Sequence, residues 1–569
     1  MTALLFGWVA DRLLPHVSLT REELLAAMEL PPKPEMGDAA FPCYPLSRVL
    51  KRPPAMIATE LAAAVNGMHA DVRAESAGPY VNLFFTREQW VGELLDRILD
   101  PGFARSTDGS GKRVVIDLSS PNIAKPFGVG HLRSTMIGNA LANLYRSCGY
   151  DVVKVNHIGD WGTQFGKLMT AYTRWGDEAK LKEEPIRESL RLYVRFHEEA
   201  EKDAALEDEA RRWFWKLEKG EADAQELWRY FVSFSLEEFE RVYSRLGVTF
   251  DYTLGESFYN DKMDAVVQEL QRLELLEESD GAHVVRLDEE GMPPCLILKS
   301  DGTTIYPTRD LATAIYRKQV MGADQLLYVV GKEQQLHFKQ VFAVLKHMEH
   351  EWSEQCEHVA FGLMKFEGRK MSTRKGQVVF LDEVLDEAVA KAEAIIEEKN
   401  ADIANKREVA EAVGIGAIIF GDLKHTRMLE ADFSLEEALR FEGETGPYLQ
   451  YTAARINKLL NTGGFGGGAA LPSTRDAGMY VSQASAWECL KTLAAYPDAV
   501  QSALRSREPA VISRYLLDVA KSFNRFYHQE RILTESGPET SAKLLAAAAV
   551  HKVLCTGLEL LGMQVPEQI

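Results

Sequence analysis

A loop at residues 121–135 carries residue types that suit the binding of a phosphate. It lies between a short apolar run at 114–118 and a segment whose apolar residues recur at helical spacing until Gly149. These patterns predict a buried strand before the loop and a helix after it. A helix N-terminus offers free N–H groups and partial positive charge, and glycines let the backbone approach a phosphate closely. The candidate phosphate contacts are Lys125, Gly128, Val129, Gly130 and His131. The alternative for the histidine is an ordinary helix cap.

A second candidate loop lies far downstream and is strongly basic. Its sequence is Lys370-Met371-Ser372-Thr373-Arg374-Lys375-Gly376, and it follows a predicted strand at about 358–363. The loop and its flanks are rich in lysine and arginine, in a chain whose net charge is −19. Taken alone, such a loop is ordinarily a solvated surface segment.

The two loops together resemble the two signatures of class I aminoacyl-tRNA synthetases, which clamp ATP at the switch point of a parallel sheet. Further blocks occur in the order that is typical of the arginyl-tRNA synthetases, and they span nearly the whole chain. They are Ser-Ser-Pro-Asn-Ile-Ala-Lys-Pro at 119–126, Asn-His-Ile-Gly-Asp-Trp-Gly at 156–162, Tyr-Pro-Thr-Arg-Asp at 306–310 and Gly-Pro-Tyr-Leu-Gln-Tyr at 446–451. The ordered set is far more specific than any one block.

The composition is typical of a large cytoplasmic protein. A chain of 569 residues predicts roughly three or four domains, because a single core rarely grows so large. The first residues are too short an apolar run for a signal peptide, and no run is long enough to span a membrane. The six cysteines are scattered, which predicts reduced thiols and no zinc site. The negative net charge does not exclude a local basic face for nucleic acid.

The element pattern and the resemblance predict a multidomain protein that is part α/β and part all-α. Residues 1–105 are expected to form a small N-terminal α/β domain, which the resemblance implies touches the tRNA elbow. Residues 106–385 are expected to form a Rossmann-like parallel-sheet catalytic domain, with a mainly helical insertion at about 175–290. Residues 386–440 are expected to form a helical stem, and residues 441–569 a helical-bundle anticodon-binding domain.

The resemblance implies that the second loop binds ATP through Lys370, Met371 and Ser372, with Lys370 and Arg374 reaching the β- and γ-phosphates. Joining a carboxylate to the α-phosphate needs in-line placement and neutralisation of charge, and it needs no protein nucleophile. Mg²⁺ is expected to accompany the nucleotide, and no protein-bound structural metal is expected.

Two positions depart from the usual signatures. Gly128 stands where the first signature ordinarily begins with histidine, and Thr373 stands where the second commonly carries lysine. One phosphate-stabilising group is therefore missing or replaced by backbone. We hypothesise that Lys125 supplies the lost charge and shares the neutralisation with Lys370.

The amino-acid pocket follows from the resemblance and from the chemistry of a guanidinium, which favours carboxylates that accept bidentately. The resemblance implies that Tyr306 packs against the substrate side chain, that Asp310 takes the guanidinium and that Gln334 is a third pocket residue. Asp117 and Asn122 are expected to hold the α-ammonium and carboxylate ends. The alternative for Asp310 is an ordinary first-turn helix acid. No editing domain is expected, because unpaired buried polar groups already reject other amino acids strongly.

The C-terminal region is expected to read the anticodon of tRNA(Arg), since loop bases are recognised by stacking and by contacts to their edges. The candidates are Tyr448, Tyr451, Arg455 and Tyr527. Most aromatic residues at helical spacing belong to a core, so only some of these are expected to meet RNA. The family often has histidine where this chain has Ala453, and commonly ends in Arg-Met where it ends in Ile569.

The predicted function is an arginine–tRNA ligase that forms arginyl-adenylate from arginine and ATP and transfers arginine to tRNA. A monomer is expected, because that is the usual state of the family. Two alternatives stay open at this point. One is a nucleotidyltransferase that adenylates a small acid without RNA, and the other is a non-catalytic tRNA-binding paralogue.

Overall fold

The structure is a computed structural model that describes residues 2–366, 380–400, 402–465 and 473–569. The second loop of the sequence analysis, with Lys370, Met371, Ser372, Thr373 and Arg374, lies outside the described residues. The roles expected for those residues therefore stay predictions.

The N-terminal region is a small α/β unit built on an antiparallel sheet in the order β1-β3-β2. Its elements are α1 (Thr2–Leu13), α2 (Arg21–Ala27), β1 (Ala39–Pro42), α3 (Tyr44–Leu50), α4 (Pro54–Met68), β2 (Val72–Ala77), β3 (Tyr80–Phe85) and α5 (Arg87–Leu99). Helix α2 begins with a capping box, in which Thr20 and Glu23 satisfy each other's free backbone N–H groups. Helix α4 covers the sheet and buries Leu61 and Val65.

The central region alternates strands and helices around a parallel sheet. Its elements are β4 (Arg113–Asp117), α6 (Val129–Ser147), β5 (Asp151–Asn156), α7 (Thr163–Trp175), α8 (Glu178–Glu183), α9 (Pro185–Ala200), α10 (Ala205–Glu218), α11 (Ala222–Leu246), β6 (Tyr252–Thr253), α12 (Met263–Arg272), β7 (Glu277–Ser279), β8 (Ala282–Val285), β9 (Cys295–Leu298), α13 (Tyr306–Gln319), β10 (Gln325–Tyr328), α14 (Gln335–His347), β11 (Cys356–His358) and β12 (Met364–Phe366). The sheet has the order β11-β10-β4-β5-β6, and each neighbouring pair is parallel.

This topology confirms the predicted fold class of the catalytic domain. From β4 the chain steps to β5 on one side and later to β10 on the other, so the switch point lies at the carboxyl end of β4. Ligands of open parallel sheets bind at this kind of point. The four residues after Arg113 in β4 are all buried, as expected for a strand covered on both faces. Helix α6 ends at Cys148 and is followed by Gly149 with φ of 84°.

The segment at about 175–290, expected to be mainly helical, contains helices α8 to α12 and also the short strands β6, β7 and β8. Helices α8 to α11 occupy it as far as Leu246, and Gly247 with φ of 67° ends the last of them. The chain then returns to the main sheet as β6 and goes on to a separate antiparallel sheet, in the order β7-β8-β9. Asp280 and Gly281 both have positive φ between β7 and β8, as a two-residue hairpin turn of type I′ requires. An Asp-Gly pair is a hairpin signal, so the hairpin of β7 and β8 could have been predicted from the sequence.

The remaining described residues are mainly helical. The elements after the parallel sheet are α15 (Leu381–Lys399), α16 (Lys406–Leu423), β13 (Ala431–Phe433), α17 (Leu435–Ala438), α18 (Gly446–Thr462), α19 (Ala484–Ala494), α20 (Tyr496–Ser506), α21 (Ala510–Gln529) and α22 (Gly537–Leu560). Strand β13 pairs in parallel with β12, which joins the stem to the catalytic domain. The C-terminal helical bundle agrees with the predicted fold class.

Contrary to the expectation from the sequence, helix α22 is long and apolar enough to cross a membrane by length and composition, and it is the one such helix in the described part of the chain. Two thirds of the apolar window is buried inside the protein, where α22 packs against α5, α18 and α21. Burial of this kind is typical of the core helix of a bundle. The N-terminal unit also contacts the bundle, since Asp38 accepts hydrogen bonds from Trp487 Nε1 at 2.9 Å and Lys491 Nζ at 3.0 Å.

Candidate active site

The carboxyl end of β4 holds a buried ion pair. Asp117, the last residue of the strand, accepts a hydrogen bond from Ser120 Oγ at 2.8 Å, and its other carboxylate oxygen lies 2.7 Å from Arg317 Nη2. Both side chains of the ion pair are nearly inaccessible to solvent. Arg317 belongs to α13, so the pair ties the pocket helix to the central strand. Asp117 already has a cationic partner, and its expected contact with the substrate ammonium stays a prediction.

The loop after β4 is held in a strained conformation. Ser119, Ser120 and Ala124 have φ of 71°, 53° and 56°, a region that residues with a Cβ rarely adopt. Such strain persists only where the surroundings dictate the backbone. Ser119 N donates to Ser134 Oγ at 2.9 Å, and Ala124 N donates to Ser235 Oγ at 3.0 Å. Helices α6 and α11 therefore fix the loop from both sides.

Asn122 lies where this loop meets the block at 156–162. The two segments form a parallel bridge between Asn122 and Gly159, and Ile123 N donates to Gly159 O at 3.1 Å. A Cβ on Gly159 would come within 2.3 Å of Asn122 Oδ1, so a larger residue there would displace the Asn122 side chain. Gly159 thus leaves room for the Asn122 side chain, and the backbone bridge holds the two segments together.

His131 caps helix α6 and also remains able to bind a ligand. Gly128 N donates to His131 Nδ1 at 3.2 Å, so the neutral ring carries its hydrogen on Nε2. Burial, helped by the charge of Lys125, lowers the pKa of His131 to about 4. The imidazole is therefore neutral near pH 7. Capping through one nitrogen leaves the other as a donor, so the two interpretations of His131 are compatible.

At the N-terminus of α6, Gly130 borders open space, whereas Gly128 pairs with Phe380. A Cβ built on Gly130 would meet no other atom within 4 Å, which leaves space for a ligand against the backbone. Gly128 has φ of −94°, which any residue adopts, and it forms an antiparallel bridge with Phe380. Leu381 N donates to Phe127 O at 3.0 Å. Phe380 and Leu381, which follow the second basic loop in sequence, therefore lie directly beside the first loop.

Lys125 lies close enough to two candidate site residues to affect their ionisation. Its Nζ is 5.8 Å from the centre of the Tyr193 ring, and its charge lowers the pKa values of both His131 and Glu256. The position suits a cation that faces both a phosphate and the amino-acid pocket.

The amino-acid pocket forms where α13 and α14 begin. Tyr306 is the first residue of α13 and is 64 % exposed. Asp310, one turn later, has a carboxylate oxygen 2.5 Å from His337 Nε2 on α14. Gln334 directly precedes α14 and is exposed. The structure thus brings Asp310 to a histidine that the sequence analysis did not single out.

Glu256 is a second pocket carboxylate that the sequence analysis missed. Its Oε2 lies 3.3 Å from Arg309 Nη1, and burial raises its pKa to about 7. Asp310 and Asp160 raise this pKa further, whereas Arg309 and Lys125 lower it. Asp160 accepts from Ser257 N at 2.8 Å and from Ser257 Oγ at 2.6 Å, which holds the segment that carries Glu256. We refer to Glu256, Tyr306, Asp310 and His337 as the acidic pocket.

Three of the four residues expected to meet the anticodon form one cluster between α18 and α21. Asn524 Nδ2 donates to Tyr448 OH at 2.7 Å, and Arg455 donates to Asn524 Oδ1. The Arg455 guanidinium also lies 4.9 Å from the centre of the Tyr527 ring. We refer to Tyr448, Arg455, Asn524 and Tyr527 as the helix-pair cluster. Tyr451, the fourth expected residue, instead makes an edge contact with Phe441 at 6.0 Å.

Comparison with known proteins agrees with this arrangement along the whole chain. The model of the arginyl tRNA synthetase N terminal domain matches residues 11–85, and that of the class I (R) tRNA synthetase catalytic domain matches residues 97–435. The model of the DALR anticodon binding domain matches residues 449–569. The chain belongs to the arginyl-tRNA synthetases.

Individual relatives are similar over nearly their full length. The arginine–tRNA ligase 2 of Bacillus anthracis is 50 % identical over 97 % of each chain, and so is the arginine–tRNA ligase of Exiguobacterium sibiricum. The solved arginyl-tRNA synthetase of Thermus thermophilus is 27 % identical, with a TM-score of 0.79 and full coverage of both chains. That of Plasmodium falciparum has the same fold, with a TM-score of 0.78 at 21 % identity.

Membership of this family makes the chain an enzyme, an arginine–tRNA ligase of class I. ATP is a substrate in class I, and an anticodon binding domain is present at the C-terminus. The predicted family and activity are therefore confirmed.

Proposed function

We propose that the chain converts L-arginine and ATP to arginyl-adenylate, with release of pyrophosphate, and then transfers arginine to the 3′ end of tRNA(Arg). The observation that carries the substrate assignment is the acidic pocket. Two carboxylates, on Glu256 and Asp310, lie close enough that the charge of Asp310 raises the pKa of Glu256. A guanidinium is a planar cation with a fork of donors, and a pair of carboxylates can accept from it on two sides.

Within this pocket, Asp310 and Glu256 would accept from the guanidinium, and Tyr306 would pack against the aliphatic stem of the substrate. Gln334 would border the same pocket. Asn122, held against Gly159, would bind the α-ammonium or carboxylate end. Asp117 would act there mainly through its negative charge, because Arg317 and Ser120 occupy its oxygens in the absence of substrate.

The phosphates of ATP would lie against the N-terminus of α6. Gly128, Val129 and Gly130 bring the free backbone N–H groups of that helix to the ligand, and His131 would donate from Nε2. The second loop would supply Lys370, Met371, Ser372 and Arg374 from the other side. Lys125 would replace the charge that Gly128 and Thr373 do not provide, and so would help to neutralise the departing pyrophosphate.

Mg²⁺ would enter with the nucleotide. In the described part of the chain, no group of three His, Cys, Asp or Glu side chains is placed to hold a metal ion. Lys125 and His131, near the N-terminus of α6, carry no carboxylate that could bind magnesium. Because magnesium commonly binds through substrate phosphates, the phosphates would be its main ligands.

For tRNA, we propose that the helix-pair cluster, with Tyr451 beside it, contacts the anticodon loop. Tyr527 and Tyr451 are each exposed enough to stack on a base, whereas Phe523 and Phe526 are buried core residues. The N-terminal region would contact the tRNA elbow. We also propose that the enzyme is a monomer, that it works in the cytoplasm and that the domain limits predicted from the sequence hold.

The test is ATP–pyrophosphate exchange with each of the twenty amino acids, both with and without tRNA(Arg). We expect exchange with arginine alone among the amino acids, and we expect it to depend on tRNA. Exchange with a different amino acid would overturn the substrate assignment. Exchange with arginine that proceeds without tRNA, together with no charging of tRNA, would favour the RNA-independent nucleotidyltransferase. A protein that binds tRNA(Arg) but supports no exchange would be the non-catalytic paralogue.

A further inference from the structure

Four side chains meet where the catalytic domain, the stem and the anticodon-binding domain join. We call Arg133, Asp422, Arg427 and Glu508 the domain junction. Arg133 lies in the first turns of α6, Asp422 lies at the end of α16, Arg427 lies in the stem and Glu508 lies between α20 and α21. The acidic pocket and the helix-pair cluster do not include any of them.

Arg133 connects helix α6 to the segment that follows β11. Its Nη1 donates to Gly362 O at 2.6 Å and to Leu429 O at 3.0 Å. Its Nε lies 2.8 Å from Asp422 Oδ1, and both side chains of this ion pair are almost completely buried. A Cβ on Gly362 would come within 2.7 Å of Met428 O, so the chains approach each other as closely as glycine allows. The helix that begins with the phosphate loop is thus fixed to residues 360–362 and to the stem.

Arg427 connects that same segment to the anticodon-binding domain. Its Nη1 donates to Ala360 O, its Nε donates to Arg507 O at 3.1 Å, and its backbone O accepts from Gly362 N at 2.8 Å. Its backbone N donates to both carboxylate oxygens of Glu508, at 3.3 and 3.2 Å. Arg507, with φ of 54°, ends α20 in a left-handed conformation. One residue therefore holds two domains by both its backbone and its side chain.

The segment 360–362 also contacts the rim of the amino-acid pocket. Phe361 forms a parallel bridge with Gly331, and Lys332 N donates to Phe361 O at 2.9 Å. Gln334 donates from its backbone N to Gly331 O at 3.1 Å. A shift at Ala360–Gly362 would therefore reach both α6, through Arg133, and the start of α14, through Gly331.

We propose that Arg427 and Glu508 are positioning residues that couple the anticodon-binding domain to the catalytic sheet. When the anticodon loop binds, the turn between α20 and α21 would set the position of Arg427, and Arg427 would set residues 360–362. These residues in turn position the N-terminus of α6 and the rim of the pocket. Neither residue would touch a substrate. The alternative is that the junction only holds the domains together, with no dependence on the state of the tRNA.

The test compares two RNAs: tRNA(Arg), and the same tRNA with one anticodon base changed. For each, kcat and KM of aminoacylation are measured on the full-length wild type and on the variants Glu508→Gln and Glu508→Ala. We expect the wild type to lose kcat with the changed anticodon. In the variants kcat with tRNA(Arg) should fall, whereas kcat with the changed tRNA should hardly move, so that the ratio shrinks about fivefold or more. A matched control is Glu436→Gln, an exposed acid in the stem, which should leave both values unchanged.

A structural role alone would give a different result, because kcat would then fall by the same factor for both RNAs. That outcome would overturn the proposal, as would a wild type whose kcat does not respond to the anticodon. If Glu508→Ala does not fold, by thermal unfolding, the milder Glu508→Gln carries the test. A double-mutant cycle with Arg427→Lys and Glu508→Gln provides a second measure. The effects of the two substitutions on the ratio of kcat with tRNA(Arg) to kcat with the changed tRNA should be non-additive. Glu508 accepts from the backbone N of Arg427, whereas the Arg427 side chain donates to Ala360 O and Arg507 O, so the cycle tests whether the two residues act in one series. Additive effects would contradict such a series.

The inference rests on the proposed charging of tRNA(Arg), and the same data separate the two failures. A wild type that charges no tRNA would defeat the proposed function and the coupling with it. A wild type that charges tRNA(Arg), with an unchanged ratio in the junction variants, would defeat only the coupling.

Discussion

The acidic pocket and the helix-pair cluster are built in opposite ways. In the pocket, each carboxylate already has a partner within the protein: Asp310 contacts His337, and Glu256 contacts Arg309. In the cluster, aromatic rings lie at the surface, and Tyr527 is 36 % exposed beside the guanidinium of Arg455. Contacts between charged groups therefore preorganise the pocket, whereas the cluster presents exposed aromatic rings on which a ligand can stack.

This difference predicts different kinds of failure. Removing a charge from a pocket that is organised by ion pairs leaves its partners unpaired and also loses the substrate contact. Removing one ring from an exposed cluster loses only part of a stacking surface. Substitutions in the pocket should therefore act on chemistry and on the choice of amino acid, and those in the cluster should act on the affinity for tRNA.

The largest effect is expected from Asp310→Asn. The change keeps the shape of the side chain but removes the charge that meets the guanidinium, so kcat/KM for arginine should fall about a hundred- to a thousandfold. Arginine-dependent pyrophosphate exchange measures this. The matched control is Glu354→Gln, an exposed acid in the turn before β11, which should have no effect. Because Asp310 also holds His337, the variant His337→Gln should be measured too, and a loss as large as that of Asp310→Asn would assign the effect to the histidine.

Lys125→Ala should have the next largest effect. If this lysine replaces the charge missing at Gly128 and Thr373, kcat of pyrophosphate exchange should fall about a hundredfold. The KM for arginine should stay nearly unchanged, because the lost interaction belongs to the phosphates. Lys299→Ala, an exposed lysine away from the loop, is the control. Normal exchange in Lys125→Ala would contradict the hypothesis that Lys125 supplies the missing charge.

The sequence predicted the elements of the site better than it predicted their partners. The strand at 114–118, the phosphate loop and helix α6 all have strong local signals, and each lies where the pattern indicated. Glu256 has no local signal, since a single acid in a loop looks the same whether it faces solvent or a pocket. Its role follows from the contact of Gly255 and Ser257 with Asp160, which only the fold reveals.

The same limit applies to the partners of residues that were found. Asp117 was expected to hold one end of the substrate, and nothing in the sequence showed that Arg317 also reaches it, from a helix two hundred residues later in the chain. His337 was passed over because nothing in its sequence neighbourhood places it beside Asp310. The Asp-Gly turn of β7 and β8 is a different case, because the hairpin signal was present and the helical pattern around it was given more weight.

A smaller effect, of about tenfold, is expected from pH on arginine binding. Burial raises the pKa of Glu256 to about 7 in the free enzyme, and only its ionised form offers a negative charge to the guanidinium. The fraction ionised falls about tenfold between pH 8 and pH 6, so the KM for arginine should rise by about that factor as the pH is lowered. Asp160, Asp310 and His337 lie near Glu256, so the variant Glu256→Gln is needed to assign the titration. That variant should show a raised KM that no longer depends on pH between 6 and 8, and a persisting dependence would show that Glu256 is not the group that titrates.

The smallest effect is expected from Tyr527→Ala in the helix-pair cluster. Stacking of a base on an aromatic side chain contributes about 1–3 kcal/mol, so the KM for tRNA(Arg) should rise roughly five- to a hundredfold, toward the lower end for a half-exposed ring. At saturating tRNA, kcat and the KM for arginine should be unchanged, which separates the cluster from the pocket. Trp215→Ala removes a still more exposed ring from α10 and should leave the KM for tRNA unaltered. Equal losses in both variants would mean that the rings contribute only a general surface, and a fall in kcat for Tyr527→Ala would show that the cluster, like the pocket, acts on the chemical step.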